Sequence, residues 1–132
     1  VYSELSGCTQ WHAKGVYGIP YRCHYSKNIT NLFLAGRIIS ATHVAFGSTR
    51  VMATCAAGGQ AVGIAAALCR EGGLKPRDLS AGGRLRELQI RLDRRGQFLP
   101  GREIADPDDL AVSASISASS ELKLSEIKAG TE

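Results

Sequence analysis

The residue types with the clearest chemical potential lie in the second quarter of the chain. The sequence Ala-Gly-Arg at residues 35–37 follows a short apolar run, and residues 38–49 carry mostly small or hydroxyl side chains. A long uncharged helix is then predicted to begin near Thr49 or Arg50. The unpaired N–H groups at a helix N-terminus favour a phosphate or a polarised carbonyl. A preceding loop of small residues lets a flat cofactor lie against the backbone, so this pattern indicates a nucleotide cofactor site.

Other reactive side chains are scattered along the sequence, and their positions do not indicate one catalytic mechanism. The side chains that could act as a general base are Tyr17, Tyr21, His24 and His43. The four cysteines, Cys8, Cys23, Cys55 and Cys69, contain no Cys-x-x-Cys pair. That spacing excludes a self-contained zinc ribbon or local iron–sulfur loop. No metal ligand is assigned, and the cysteines are expected to be buried small hydrophobic residues.

The elements expected to position this site are strands and one long helix. Residues 16–25 mix aromatic and β-branched side chains around one proline and predict an edge strand. The apolar run at residues 32–35 predicts a strand buried in a parallel sheet. Ser48 or Thr49 is the expected N-cap of the helix, which runs to about residue 69 and ends at Gly72-Gly73. Three glycines inside this helix predict a close approach by another backbone or a ligand; they are Gly58, Gly59 and Gly63.

A second helix and a second region are predicted further along. Leu85, Leu88 and Leu92 recur at helical spacing opposite an arginine-rich face, and Gly96 ends this amphipathic helix. Small apolar residues and serines alternate over residues 111–118, which predicts the first strand of a β module.

Composition and charge limit the possible functions. The 132 residues suit one ordinary domain, and a net charge of +4 is too small to imply nucleic-acid binding. Only Glu4 is acidic before residue 70, which suits either an anionic ligand or a mostly buried segment. The balance turns acidic after Pro100-Gly101, where we expect a boundary. The chain begins without Met, and we expect it to be a piece of a longer polypeptide.

The uncharged residues 51–69 also raise the alternative of a single-pass membrane segment. Gly59 and Gly63 even match the spacing of a helix-packing motif. Against it, the segment is rich in alanine and glycine, holds Gln60 near its centre and lacks flanking Trp or Tyr. We therefore expect no membrane contact.

Residues 31–69, NLFLAGRIISATHVAFGSTRVMATCAAGGQAVGIAAALC, closely resemble the C-terminal FAD-contacting segment of the FAD-dependent oxidoreductase family. The resemblance extends to the heterodisulfide reductase-like flavoproteins and the glutathione-reductase-type FAD fold. It implies an α/β fold that is the C-terminal part of a Rossmann-like FAD-binding domain: buried strand, cofactor loop, long Gly/Ala-rich helix and second amphipathic helix, followed by the start of a β module. The implied divisions are 1–30, the end of the substrate-domain return strands; 31–100, the FAD-binding portion; and 101–132, a linker and first β strand.

The resemblance also implies which residues contact FAD. Ala35, Gly36 and Arg37 would lie at the ribityl and pyrophosphate region. Many relatives carry an acid after this glycine, so Arg37 points instead to pairing with phosphate. The helix start would lie under the flavin pyrimidine edge, with His43 beside the ring or the ribityl chain. The residues of that helix start are Ser48, Thr49, Arg50, Val51 and Met52.

The implied activity is two-electron transfer between an unknown small-molecule substrate and FAD. The family is also associated with a 4Fe–4S cluster, expected elsewhere in a full-length protein. The Gly-x-Gly-x-x-Gly element that holds the ADP half of FAD is missing from this sequence and is expected upstream. The chain alone is therefore expected to be inactive and to bind FAD weakly or not at all. A non-catalytic interaction module derived from a flavoprotein is the alternative.

Overall fold

Three α-helices and four 3₁₀ turns make up the regular structure of the described residues. The computed structural model describes residues 15–102, 106 and 108–120. The helices are α1 (His43–Thr49), α2 (Met52–Gly72) and α3 (Arg84–Asp93). The 3₁₀ turns span Tyr21–His24, Gly36–Ile38, Pro76–Ser80 and Leu110–Ser113.

The long helix α2 is the centre of the packing. Its alanine-rich sequence, uncharged as far as Cys69, favours a helix despite three internal glycines. As predicted, it ends at the glycine pair: Gly73 takes a left-handed conformation with φ 61°, and its N–H donates to the Cys69 carbonyl. The Gly36–Ile38 turn, the Pro76–Ser80 turn and α3 all contact α2. The buried core lies where these elements meet, and its members are Ala65, Leu68, Cys69, Leu79, Leu88 and Leu92.

Helix α3 confirms the amphipathic pattern. Leu88 and Leu92 are buried, and the half-buried Leu85 packs against the same core. On the outer face Arg91 pairs with Glu71 of α2 at 2.9 Å and with Glu87 at 2.9 Å. Gly96 has φ 76° just beyond the helix, which agrees with its predicted role as a terminator.

The predicted strands are wrong within the described residues, which contain no β-strand. Residues 21–24 form a 3₁₀ turn, and the run at 32–35 makes only an isolated antiparallel bridge between Tyr25 and Phe33. Residues 111–118 form a 3₁₀ turn and then exposed irregular chain. A strand needs a neighbouring strand to pair its backbone N–H and C=O groups. The described residues supply none, so apolar composition alone does not produce a sheet here.

The predicted loop before α2 is partly helical. Residues 43–49 form α1, whose N-cap Thr42 accepts a hydrogen bond from the Ala45 N–H at 3.3 Å. Ser48 and Thr49 therefore end α1 and do not cap α2. The N-cap of α2 is Val51, in an extended conformation and without a capping side chain. The predicted start of the long helix is corrected by two to three residues, to Met52.

Among the described residues, α2 is long and apolar enough to cross a membrane by length and composition, with mean hydropathy 1.5. This is weak evidence for a membrane span, because core helices of soluble proteins pass the same test. The same stretch is 22% buried, so much of its surface is left uncovered by the described residues.

Candidate functional site

Backbone hydrogen bonds between residues 23–26 and 32–40 hold the Ala-Gly-Arg segment in place. The His24 carbonyl accepts from the Leu34 N–H at 2.8 Å, and the Cys23 carbonyl accepts from the Ser40 N–H at 2.9 Å. These two bonds lie on either side of residues 35–39. The loop they close brings the Gly36–Ile38 turn against α2.

Gly36 is required by the backbone at this turn. Its φ is +67°, in the left-handed region that favours glycine, and a Cβ here would meet nothing within 4 Å. The constraint is therefore conformational and not one of packing. Ala35 is half-buried in an extended conformation, whereas the Arg37 side chain is exposed. The turn thus presents a guanidinium and an open backbone to the surface.

The junction between α1 and α2 gathers five of the predicted site residues. Thr49 is buried and its hydroxyl donates to the Ala45 carbonyl at 3.2 Å. The Cys55 thiol donates to the Thr49 carbonyl at 3.7 Å, which ties the end of α1 to the first turn of α2. Arg50 is exposed, and so are Val51 (51%) and Met52 (90%). Thr49 therefore has a structural role, and its neighbours form the accessible part of the junction.

The start of α2 is a set of backbone donors without a side-chain cap. The N–H groups of the first three helical residues have no intrahelical partner in any α-helix. Val51 offers no capping side chain, and the first helical bond is donated by Cys55 to the Val51 carbonyl at 2.9 Å. These donors and the exposed Arg50 beside them suit an anionic or electron-rich group. Arg37 is a further exposed cation, on the turn that contacts α2.

His43 and Ser48 lie at opposite ends of α1. His43 is exposed at the first residue of the helix. At 1.5 Å per residue, the length of α1 places it roughly 10 Å from the junction. Ser48 is hydrogen-bonded to the Tyr17 hydroxyl. Nothing in the sequence pattern indicates this contact, because the two residues are 31 positions apart and neither lies in a recognisable motif.

Two of the four candidate general bases are held in structural roles. The Tyr21 hydroxyl donates to the Pro76 carbonyl at 2.7 Å, and burial raises the pKa of this tyrosine well above its usual range. His24 is 5% exposed, its Nδ1 lies 3.2 Å from the Leu34 carbonyl, and burial lowers its pKa. Tyr17 and His43 are the exposed members of the set, so they stay candidates.

The glycines of α2 are only partly explained by close contacts. A Cβ on Gly58 would lie 3.1 Å from Cε1 of the buried His24 ring, which confirms a close approach at this position. The approaching group is a side chain, not a backbone. Gly59 and Gly63 meet nothing within 4 Å in the described structure. The predicted close approach is therefore absent at these two positions among the described residues.

No metal centre is formed by the residues that the structure describes. Cys23, Cys55 and Cys69 are free, and no group of three or more potential metal ligands comes together. A 4Fe–4S cluster rests on the resemblance alone and is supported neither by the described structure nor by the family comparison below.

The sequence matches the family model of the FAD dependent oxidoreductases over residues 2–92, which is more than half of the chain. The chain belongs to the FAD-dependent oxidoreductase family. Membership of this family implies oxidoreductase chemistry and FAD as the cofactor. The match also fits a Rossmann-like FAD fold. The matched range includes the Gly36 turn, α1 and α2, and it stops inside α3. No curated protein and no solved structure matches the chain.

The donor set of this FAD-dependent oxidoreductase segment fits part of the cofactor. FAD carries a pyrophosphate and a flavin whose pyrimidine edge becomes electron-rich on reduction. Exposed guanidinium groups suit the first, and uncapped helical N–H groups suit the second. The sequence holds no Gly-x-Gly-x-x-Gly; Gly58, Gly59 and Gly63 do not have this spacing and lie within α2. The described residues thus match the flavin half better than the ADP half.

Proposed function

We propose that this chain supplies the flavin-facing part of the FAD site in an oxidoreductase that transfers two electrons between FAD and a small-molecule substrate. The observation that carries the proposal is the start of α2. It is a long helix that begins without a side-chain cap, beside exposed Val51 and Met52, and the Gly36 turn with positive φ contacts the same helix. The family match covers these residues and implies FAD for the family, which supports the proposal.

Each predicted residue takes a role consistent with its exposure. Ala35 and Gly36 bring the backbone to the ribityl chain, and the exposed Arg37 pairs with a phosphate. His43 lies beside the flavin ring or the ribityl chain. Ser48 and Thr49 shape the junction through their bonds to Tyr17 and Ala45. The remaining members of the proposed site are Arg50, Val51 and Met52.

The cofactor supplies the redox chemistry, which is two-electron transfer at flavin N5. The residues of this chain orient the cofactor and set the electrostatic potential around it. The N–H groups at the start of α2 point their positive ends outward and would stabilise negative charge at the pyrimidine edge. Arg50, exposed beside them, adds a full positive charge. Both effects favour the reduced state of the bound cofactor.

The uncovered side of α2 indicates where the missing part of the FAD site would pack. Gly59 and Gly63 lie four residues apart, so they share one face, and that face is open in the described structure. We propose that another part of the same polypeptide packs there, carrying the Gly-x-Gly-x-x-Gly element for the ADP half. In this organisation residues 1–30 belong to the substrate-domain side, 31–100 to the FAD-binding domain and 101–132 to a linker and β module. The relation to heterodisulfide reductase-like and glutathione-reductase-type flavoproteins belongs to the same proposal.

FAD titration of the chain, followed by amide NMR shifts and by flavin absorbance, tests the proposal. We expect weak binding, with the largest shifts at residues 35–37 and 48–54. Arg37→Gln should weaken FAD binding about tenfold, because it removes a charge-assisted bond to phosphate. Arg86→Gln is the matched control, since Arg86 is exposed on α3 and far along the chain from the junction. Shifts confined to other regions would overturn the assignment, and a stoichiometric flavin spectrum would refute the incomplete site.

A further inference from the structure

A concave site apart from the α1–α2 junction is lined in part by Leu34 and Ser40, which flank the Gly36 turn in sequence. It is a cavity of about 330 Å³. Its walls come from three separate segments: Arg22 on the first 3₁₀ turn, Lys27 in the loop after it, and Arg77 on the turn Pro76–Ser80. Ser26 and Ser40 add hydroxyl-bearing residues to this lining. None of these lining residues belongs to the proposed flavin contacts.

The cavity carries three positive charges that no described carboxylate neutralises. No acidic residue of the described chain lines it, and within the described residues Arg22, Lys27 and Arg77 make no ion pair. The neighbouring Asp78 is turned to its own backbone, where its carboxylate accepts from the Lys75 N–H at 2.9 Å. Like charges gathered without a counterion repel one another, so this arrangement is stabilised when an anion is bound.

The cavity beside α3 shows the contrast. It has about 460 Å³ and also contains arginines, among them Arg91 and Arg94. There, however, Arg91 pairs with Glu71 at 2.9 Å, and Arg94 pairs with Asp106 at 3.1 Å. Those arginines are neutralised within the chain. Arg95 also lines the cavity beside α3 and makes no ion pair among the described residues. The first cavity therefore differs in degree: none of its three cations has a described carboxylate partner, whereas two of the three arginines beside α3 do.

Hydrogen bonds fix the walls of the first cavity relative to one another. Arg77 donates from Nη2 to the Lys27 carbonyl at 2.8 Å, across 50 residues of sequence. The Tyr25 hydroxyl lies 3.3 Å from Ser80 Oγ, which links the same two segments a second time. The Ser40 N–H donates to the Cys23 carbonyl at 2.9 Å. These hydrogen bonds hold the segments that carry the cations in fixed positions. The entropy cost of ordering the segments around a ligand is therefore lower.

We propose that this cavity binds a phosphate group carried by a small molecule. A phosphate carries close to two negative charges and three strong acceptor oxygens, which matches a cavity lined by two arginines, a lysine and two serines. A water molecule occupies roughly 30 Å³, so the cavity holds a phosphate and a short organic chain. The site uses no flavin, and the proposal does not depend on the flavin site.

The test is an amide NMR titration of the chain with inorganic phosphate, balanced by chloride to constant ionic strength. We expect saturable shifts at Ser26, Lys27, Ser40 and Arg77. Arg22→Gln and Arg77→Gln should each weaken phosphate binding about tenfold, while the control Arg86→Gln leaves it unchanged. Arg22 makes no hydrogen bond through its side chain in the described structure, so its variant should keep the fold, which the same spectra report.

Three outcomes would overturn the proposal. Shifts that rise linearly without saturation would show only charge screening. An equal loss in Arg22→Gln and Arg86→Gln would show that net charge, not the cavity, attracts phosphate. Succinate binding as tightly as phosphate at the same amides would remove the phosphate assignment. Riboflavin-induced shifts at the α1–α2 junction are a separate readout, so failure here is distinguishable from failure of the flavin site.

Discussion

At the scale of single residues, the contact between His24 and Gly58 constrains the inner face of α2. The His24 ring is buried, bonded to the Leu34 carbonyl at 3.2 Å, and lies where a Cβ on Gly58 would be only 3.1 Å away. Two effects compete on substitution by alanine. Helix propensity gains about 1 kcal/mol, whereas crowding a ring that is already fixed costs about 1–3 kcal/mol.

We therefore predict that Gly58→Ala lowers the free energy of unfolding by about 1 kcal/mol. Gly59→Ala is the matched control, because its Cβ would meet nothing within 4 Å. It should raise the free energy of unfolding by about 0.5–1 kcal/mol. Urea denaturation measures both. Equal effects of the two variants would show that the His24 ring moves aside freely.

The pKa of His24 gives a pH dependence. Burial lowers the pKa, and the weaker opposing effect is the hydrogen bond to Leu34. The unfolded chain therefore binds a proton at higher pH than the folded chain, so stability is full above about pH 6.5 and falls as the pH drops below it. His24→Gln should flatten this fall between about pH 7.5 and pH 5, measured as urea midpoints. His43→Gln is the control: it changes an exposed histidine and should leave the fall in stability as it is. If His24→Gln also leaves the pH profile unchanged, His24 is not the cause of the fall.

At the scale of elements, the sequence predicts what local periodicity determines and fails where pairing is non-local. The spacing of Leu85, Leu88 and Leu92 is sufficient to predict α3, and Gly72-Gly73 marks the end of α2. The three predicted strands are absent among the described residues because a strand depends on a partner that local sequence does not reveal. Helix α1 is not predicted because all of its residues except Ala45 have modest or low helix propensity. Its signal is Thr42, an N-cap residue just before the helix.

The segment after α3 is fixed by an ion pair that is more buried than any other described one. Arg102 pairs with Asp93 at 3.2 Å, with side chains 20% and 6% exposed, and also bonds to Gln89. Arg102→Met should lower the free energy of unfolding by about 2–3 kcal/mol, because it leaves a buried carboxylate without its partner. Arg91→Met should cost less than about 1 kcal/mol, since its pairs with Glu71 and Glu87 are solvent-exposed. Thermal denaturation of the two variants measures the difference. Equal losses of stability in Arg102→Met and Arg91→Met would contradict the special role of Arg102.

At the scale of the whole molecule, the candidate site divides into a part predictable from sequence and a part that is not. The order of the site, an Ala-Gly-Arg segment followed by a long small-residue helix, follows from short local motifs. The capped helix start at Ser48 or Thr49 that the sequence predicts is wrong, because those residues end α1 and α2 begins after Val51 without a side-chain cap. The basic cavity of Arg22, Lys27 and Arg77 does not, because its cations are separated by up to 55 residues and meet only through the contacts of two 3₁₀ turns. The scarcity of acidic residues before residue 70 is its only signal in the sequence.

The described residues form a braced helical unit with an exposed junction for one half of a cofactor. Much of α2 stays uncovered, and its open glycine face is where the proposed dinucleotide-binding part would pack. Affinity for the two halves of FAD should therefore be unequal in this chain. The neutral compounds riboflavin and adenosine separate these halves without involving the basic cavity.

The most direct test is an amide NMR titration of the 132-residue chain with riboflavin and, separately, with adenosine. Riboflavin is expected to shift residues 35–37, 43 and 48–54 in a saturable way, while adenosine leaves them unchanged. Adenosine acting on the same amides as strongly as riboflavin, or riboflavin acting on none of them, would contradict the claim that this segment forms the flavin-facing half of the site.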